Sequence, residues 1–332
     1  MKTYFDFTLK GKNWAGPFIV YWIAILLLYT PFAGISVISR RAQGGMVTPL
    51  VLLLVDLVLV VAVVVLAAVF AIVFLRIFLP KLSIKGNAFS FKGSIGKYLG
   101  LNVGGILLTI VTLSIYFPWY VRRITAYLVS ETSFNGSNPE FMGKGGRLFT
   151  YYLLCVLVPF VVVGILIAVV FAVMIATGSL EVGLIAVRVL SALMGIVVFL
   201  ILIPWIYLVY KWYVNIRWND VTIAWKTSFW PSCGFILGQV LLIVITATIY
   251  WPAGFLRIYG YFVGKTVLSK GEAETGRLGF DGSLGKGFGL LWGQALLSII
   301  TLGVYIPWAY ANIGRWLMSA TYHQESAAAP TA

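Results

Sequence analysis

Acidic and metal-ligating side chains are scarce in this sequence, which holds ten Asp and Glu together, one His and two Cys. The lone His323 stands near the C-terminus, so a histidine-based metal centre or acid-base catalyst inside the apolar body is excluded. Cys155 and Cys233 lie in or beside apolar runs, which argues against a disulfide framework or a thiolate metal site. Gly143-Lys-Gly-Gly146 and Gly285-Lys286-Gly287 lack the spacing of a phosphate-binding loop and read as turns. No nucleophile stands beside a base. The sequence therefore assigns no catalytic residue, cofactor or metal, and it does not read as an enzyme.

What is abundant is apolar surface. With 61% hydrophobic and 10% charged residues and a mean hydropathy of +0.98, the chain is a membrane protein rather than a soluble one. Runs such as Val47 to Leu75 exceed the roughly 20 residues needed to cross a bilayer as helix. They are continuously apolar rather than alternating, so helices are expected and a β-barrel is not. The first run, Pro17 to Ser36, lacks a small-residue cleavage pattern and is read as retained. The net charge of +14 sits in short loops between apolar runs. That pattern suits a positive-inside topology and attraction to anionic lipid better than nucleic acid. The expected partner is the lipid bilayer, with anionic lipids at the basic loops and no nucleic acid.

The strongest internal signal is a duplication. Gly96 to Thr132 meets Gly285 to Thr321 at an offset of 189, with 17 identities in 37 positions and no gap. A weaker third copy appears at an offset of 134, where Gly234, Gly238, Thr246, Tyr250, Pro252 and Arg257 align with Gly100, Gly104, Thr112, Tyr116, Pro118 and Arg123. The copies fall near 89–132, 227–265 and 280–321 within a single membrane domain, 1–323, followed by a disordered tail, 324–332. Gly100 and Gly104, Gly234 and Gly238, and Gly289 and Gly293 are each four apart on one helical face, the spacing of helix contact. Each copy then carries a Tyr-x-Pro element: Tyr116, Pro118 and Trp119; Tyr250 and Pro252; Tyr305, Pro307 and Trp308. Proline predicts an end, kink or break there, and the flanking aromatics suit a membrane interface. Tyr120 to Ser130, with Arg122 and Arg123, resembles an amphipathic helix lying along that interface. Phe-x-Gly motifs at Phe91, Phe141 and Phe280 each precede an apolar run.

The expected fold is an all-α polytopic membrane protein of about seven apolar helical segments, some of them broken or re-entrant, with short strand-like Phe-x-Gly loops. The sequence leaves crossing and re-entry open. Seven crossings divide Lys and Arg about 14 to 10 between the two sides, whereas re-entrant repeats leave only Arg40, Arg41 and Arg188 on the far side.

The succession Thr112-Leu-Ser-Ile-Tyr116-Phe-Pro118-Trp119, repeated as Thr301-Leu-Gly-Val-Tyr305-Ile-Pro307-Trp308 and joined to Phe-x-Gly loops, resembles the YjgN-like family of bacterial inner-membrane proteins. The middle copy departs from the pattern with Ala253, and the last has Ala311 and Asn312 where the first has Arg122 and Arg123. The resemblance implies a multi-pass protein of the bacterial cytoplasmic membrane and supplies no catalytic residue. Asp56, inside an apolar run, is the sharpest polar candidate, with Arg188 as its potential partner. Gln239 and Gln294, equivalent to Gly105, would bond between helices or line a polar path. Repeats, proline breaks and Asp56 together point to a transporter or channel-like protein for a small solute or lipid. The alternative is a scaffold that binds partners through its Phe-x-Gly loops.

Overall fold

The computed structural model of the chain describes residues 1–41, 47–178 and 180–326, and all of their side chains except those at 29–57, 180, 182, 196 and 199. The polar segments between apolar runs are strands, and they organise the chain into five units of strand, helical hairpin and strand. The first unit is β1 (Lys2–Phe7), α1 (Lys12–Arg41), α2 (Val47–Phe78) and β2 (Leu82–Ile84). The second is β3 (Asn87–Phe91), α3 (Ile95–Val111), α4 (Phe117–Ser130) and β4 (Thr132–Phe134). The third is β5 (Glu140–Phe141), α5 (Gly145–Tyr152), a π-helical turn (Leu153–Leu157), α6 (Val158–Thr177), α7 (Leu180–Tyr213) and β6 (Asn215–Trp218). The fourth is β7 (Val221–Trp225), α8 (Phe229–Ile245), α9 (Trp251–Gly264) and β8 (Thr266–Lys270), and the fifth is β9 (Ala273–Phe280), α10 (Leu284–Ile300), α11 (Ile306–Ser319) and β10 (Thr321–Glu325).

Within every unit the two strands pair antiparallel, as in Phe5 with Ile84, Ser90 with Ser133 and Ala224 with Val267. Units one and two, three and four, and four and five join the same way, and β10 closes onto β1 through Gln324 and Lys2. The result is one ten-stranded antiparallel sheet in the order β4-β3-β2-β1-β10-β9-β8-β7-β6-β5. Its two edge strands are linked by residues 135–139 alone, and the Phe134 ring reaches Trp218 at 4.7 Å. A flat sheet of ten strands would span about 43 Å at the usual spacing, so this one curls into a barrel-like form. Partners in register share a face. Ser83, Ser90, Ser133, Arg217, Thr222 and Arg277 fall on one side, and Ile84, Phe89, Phe134, Ile223, Leu268 and Leu278 on the other.

An all-α seven-span architecture is therefore not what the chain forms. Among the described residues, three helical stretches are long and apolar enough to cross a membrane: Val58–Lys81, Gly145–Thr177 and Gly183–Tyr213. The arms of units two, four and five have 17 and 14 residues, about 25 and 21 Å at 1.5 Å per residue. They fall short of a hydrocarbon core about 30 Å thick. Because the flanking strands pair, each short hairpin returns to the side from which it left. α4 is thus the returning arm against α3.

The reversal comes before the proline. Leu113 and Ser114, Ala247 and Thr248, and Leu302 and Gly303 all have positive φ, which turns the chain back over five residues. A threonine holds each turn from both sides. Thr112 donates to the Leu108 carbonyl at 2.7 Å and accepts the Tyr116 N–H at 2.9 Å, and Thr246 and Thr301 do the same for Tyr250 and Tyr305. Pro118, Pro252 and Pro307 then sit buried in the first turn of the returning helix, where no amide hydrogen is needed. Proline starts the second arm rather than breaking the first.

The glycine pairs also need correction. A Cβ at Gly100, Gly104, Gly234, Gly238, Gly289 or Gly293 would meet nothing within 4 Å among the described residues, so these faces make no helix contact within the described part of the chain. The arms of the second unit meet instead on the Asn102 and Gly105 side of α3, about half a turn away. Close approach occurs at Gly11, Gly145 and Gly287, which lie under Trp308, Trp119 and Trp316. Trp119 and Trp308 thereby seat the next unit in the ring. The predicted tail shortens as well, because β10 runs to Glu325 and pairs there with Gly276; residues 327–332 lie outside the described part.

In each Phe-x-Gly motif the ring folds back over the glycine backbone, so that any Cβ on Gly93, Gly143 or Gly282 would strike it. The phenylalanine is always the last residue of its strand, and Phe7 and Trp225 end β1 and β7 in the same way. Five separate apolar clusters result, around Phe7, Phe91, Phe141, Trp225 and Phe280. Each joins one unit to the returning helix of the unit beside it.

Three outcomes follow for purified protein in detergent. Gly93→Ala, Gly143→Ala and Gly282→Ala should each cost about 1–3 kcal/mol, while Gly100→Ala should leave the thermal unfolding midpoint unchanged. Gly303→Thr should destabilise by about 1–2 kcal/mol, and Thr248→Gly at the equivalent turn should raise the midpoint. His323 lies between β1 and β9, and burial pushes its imidazole below the ordinary value of 6.5; Lys85 adds to the fall and Glu325 opposes it. The folded state then binds fewer protons than the unfolded chain near that pH, so stability should drop as pH falls below about 6.5. His323→Gln should flatten that step in a pH series of unfolding temperatures.

Candidate functional site

The third unit differs from its neighbours in having both a long hairpin and a polar pocket at its root. β5 ends at Phe141, whose ring meets Trp212 edge-on at 4.8 Å. The Trp212 indole N–H donates to the Lys144 carbonyl at 3.0 Å, and the Met142 N–H donates to the Asn215 carbonyl at 2.9 Å. These bonds lock the start of α5 against the end of α7. Arg122 of the preceding unit donates to the Gly143 carbonyl at 3.1 Å and fastens α4 to the same turn.

Between these elements lies a cavity of about 310 Å³. Lys144, Arg147, Lys211 and Arg217 line it with Tyr151 and Asn215, and no carboxylate does. Thr222 contributes a hydroxyl from β7, opposite Arg217 on the polar face of the sheet. The Lys211 ammonium donates at 3.3 Å to both the Tyr207 hydroxyl and the Thr227 carbonyl. The side chains of Lys144, Arg147 and Arg217 have no hydrogen-bond or ion-pair partner among the described residues. Glu140 stands opposite Arg217 in register without forming an ion pair. Four like charges repel one another, and a bound anion relieves that repulsion while accepting their hydrogen bonds.

Of the polar candidates singled out from the sequence, Gln239, Gln294 and Arg188 lie among those whose side chains are described, and these do not converge. Gln239 accepts the Tyr250 hydroxyl at 2.9 Å, and Gln294 accepts the Asn312 amide at 3.0 Å, each inside its own hairpin. Gly105 takes that position in the second unit because the Tyr120 ring fills the space, its hydroxyl donating to Asn102 at 2.7 Å. In the other copies Gly254 and Ala309 stand where Tyr120 does, so bulk moves from one arm to the other. The exchange leaves the Tyr116 hydroxyl buried with no partner among the described residues. Arg123 and Arg257 lie over the Tyr116 and Tyr250 rings at 5.5 and 5.8 Å. The side chain of Asp56 lies outside the described residues. Arg188 is exposed on α7 and makes no ion pair among the described residues.

The pocket was not read from the sequence. Its residues come from three separate segments, and its one local sign, Gly143-Lys-Gly-Gly146, reads as a turn.

Comparison with known proteins places the chain without assigning it an activity. It is 32% identical over 69 residues to the inner membrane protein YjgN of Escherichia coli (strain K12) and, equally, to that of Escherichia coli O157:H7. The match covers 21% of this chain and 17% of the length of those relatives. No solved structure matches. The bacterial family of unknown function DUF898 matches over residues 86–276 and again over 275–332. With most of the chain matched, and the repeated hairpins falling within both stretches, the chain belongs to the DUF898 family.

Proposed function

We propose that this chain is a multi-pass protein of the bacterial cytoplasmic membrane that binds anionic phospholipid headgroups at the basic roots of its helices. The observation that carries the reading is the pocket of Lys144, Arg147, Lys211 and Arg217, which holds four cations and no acid at the point where apolar helices leave the sheet. Three apolar helical stretches and the inner-membrane relatives support the location. So does the charge distribution. Of 24 Lys and Arg, only Arg40, Arg41 and Arg188 lie toward the far ends of the long hairpins; the other 21 lie in strands, helix roots or short hairpins. The positive-inside rule puts the sheet in the cytoplasm.

The reading is of a binding protein, not an enzyme, and it needs no cofactor. Solute transport is not part of it: Gln239 and Gln294 are taken up by bonds within their own hairpins. Internal duplication accounts for the pattern: the three related stretches have the same helix lengths and the same threonine-held turn.

The test compares wild type with a Lys144→Gln, Arg147→Gln, Arg217→Gln variant in nanodiscs of mixed phosphatidylglycerol and phosphatidylcholine. At about 1 kcal/mol for each cation near a membrane surface, the variant should lose on the order of 10- to 100-fold in preference for the anionic lipid. Equal enrichment of phosphatidylglycerol around both proteins would overturn the proposal.

A further inference from the structure

Above the basic pocket, the same two helices enclose an apolar groove. A cavity of about 500 Å³ between α6 and α7 is lined by Cys155, Phe160, Val163, Met194, Val198 and Trp205, among others. A second cavity, of about 440 Å³, continues from it and shares Val163 and Met194. The groove runs from Cys155 to Phe171, a rise of about 24 Å. That exceeds the roughly 15 Å half-thickness of a hydrocarbon core. Tyr151 lines the basic pocket, and Cys155, four residues on, lines the groove.

The π-helical turn explains why pocket and groove are in line. Arg147, Tyr151, Cys155, Pro159 and Val163 recur every four residues and all line these cavities. On a regular α-helix of 3.6 residues per turn, a spacing of four drifts about 40° at each step. Leu153–Leu157 is π-helical, and its wider turn absorbs much of that drift. The helix therefore presents cations, then Tyr151, then an apolar channel along one face. No residue of α6 is buried, so the channel is open to the bilayer along its length.

Resting on the anionic-lipid reading above, we propose that pocket and groove form one site for a single diacyl anionic phospholipid drawn from the leaflet on the sheet side. Its phosphate sits among Lys144, Arg147, Lys211 and Arg217, and one acyl chain lies between α6 and α7 past Val163 and Met194. Charge complementarity selects this occupant. A bare apolar helix from a second copy would fill the groove and leave the four cations unanswered.

The experiment uses full-length protein extracted with its lipids into nanodiscs and released for native mass spectrometry. Wild type should retain one phosphatidylglycerol per chain. Val163→Trp and Met194→Trp, which fill the groove and leave the basic residues intact, should each reduce that population at least tenfold. Ile165→Trp, outside the residues lining the groove, should not. A phosphatidylglycerol carrying a photoreactive group in its acyl chain should label wild-type peptides from 155–171 and 187–205, a readout independent of any variant.

If the groove variants keep the lipid while the triple Gln variant loses it, only headgroup binding is real and the single-site proposal is overturned. If the triple Gln variant keeps it too, the broader reading falls as well. Labelling confined to other helices, or loss of a dimer in the groove variants, would also overturn the proposal, the latter by assigning the groove to a second copy.

Discussion

The arrangement depends on an aromatic ring at the end of a strand. Phe7, Phe91, Phe141, Trp225 and Phe280 each end one; Phe91, Phe141 and Phe280 fold over the turn that follows, while Phe7 lies against Gly314 of α11 and Trp225 against Tyr207 and Tyr210 of α7. An aromatic ring buries a large area and fixes geometry, so one residue sets both the angle at which a hairpin departs and its contact with the neighbouring hairpin. The protein consequently has no single core. Five apolar clusters are strung around the ring, and removing one ring would loosen the joint between two units while leaving the other joints in place.

Around that constraint the units vary in two ways. Hairpin length varies: short arms of 17 and 14 residues share a sheet with arms of 30, 32 and 34. Side-chain volume within a short hairpin is exchanged rather than lost. Tyr120 lies over Gly105 in one copy; in the others Gly254 and Ala309 stand at the tyrosine's position, and Gln239 and Gln294 at the glycine's. The third unit uses this freedom most, combining a long hairpin, a π-helical turn and the basic pocket.

The boundaries of the short hairpins were legible in the sequence, since glycine, threonine, tyrosine and proline recurred at constant offsets. So was the strand-like character of the Phe-x-Gly segments. The sheet was not. Its strands are two to eight residues long, too short for a periodic signal, and their partners lie far away in the chain, as Lys2 and Gln324 do. Proline marks the end of the first arm in the sequence, but the reversal itself is made by two positive-φ residues and a threonine a few positions earlier. Spacing placed Gly100 and Gly104 on one face and could not say what lies opposite that face. The pocket stayed hidden because its cations come from the turn before α5, from α5, α7 and β6, and only folding brings them together.

The pairing of β1 with β10 also has a consequence for biosynthesis. The free edge of β1 has no partner until the chain has been made as far as Glu325, some 320 residues later. At roughly 5–20 residues per second that is a wait of tens of seconds. The hairpins of the first four units are complete by Gly264, so their strands can pair with one another first, and the β1–β10 pairing that joins the first unit to the fifth is the last to become available.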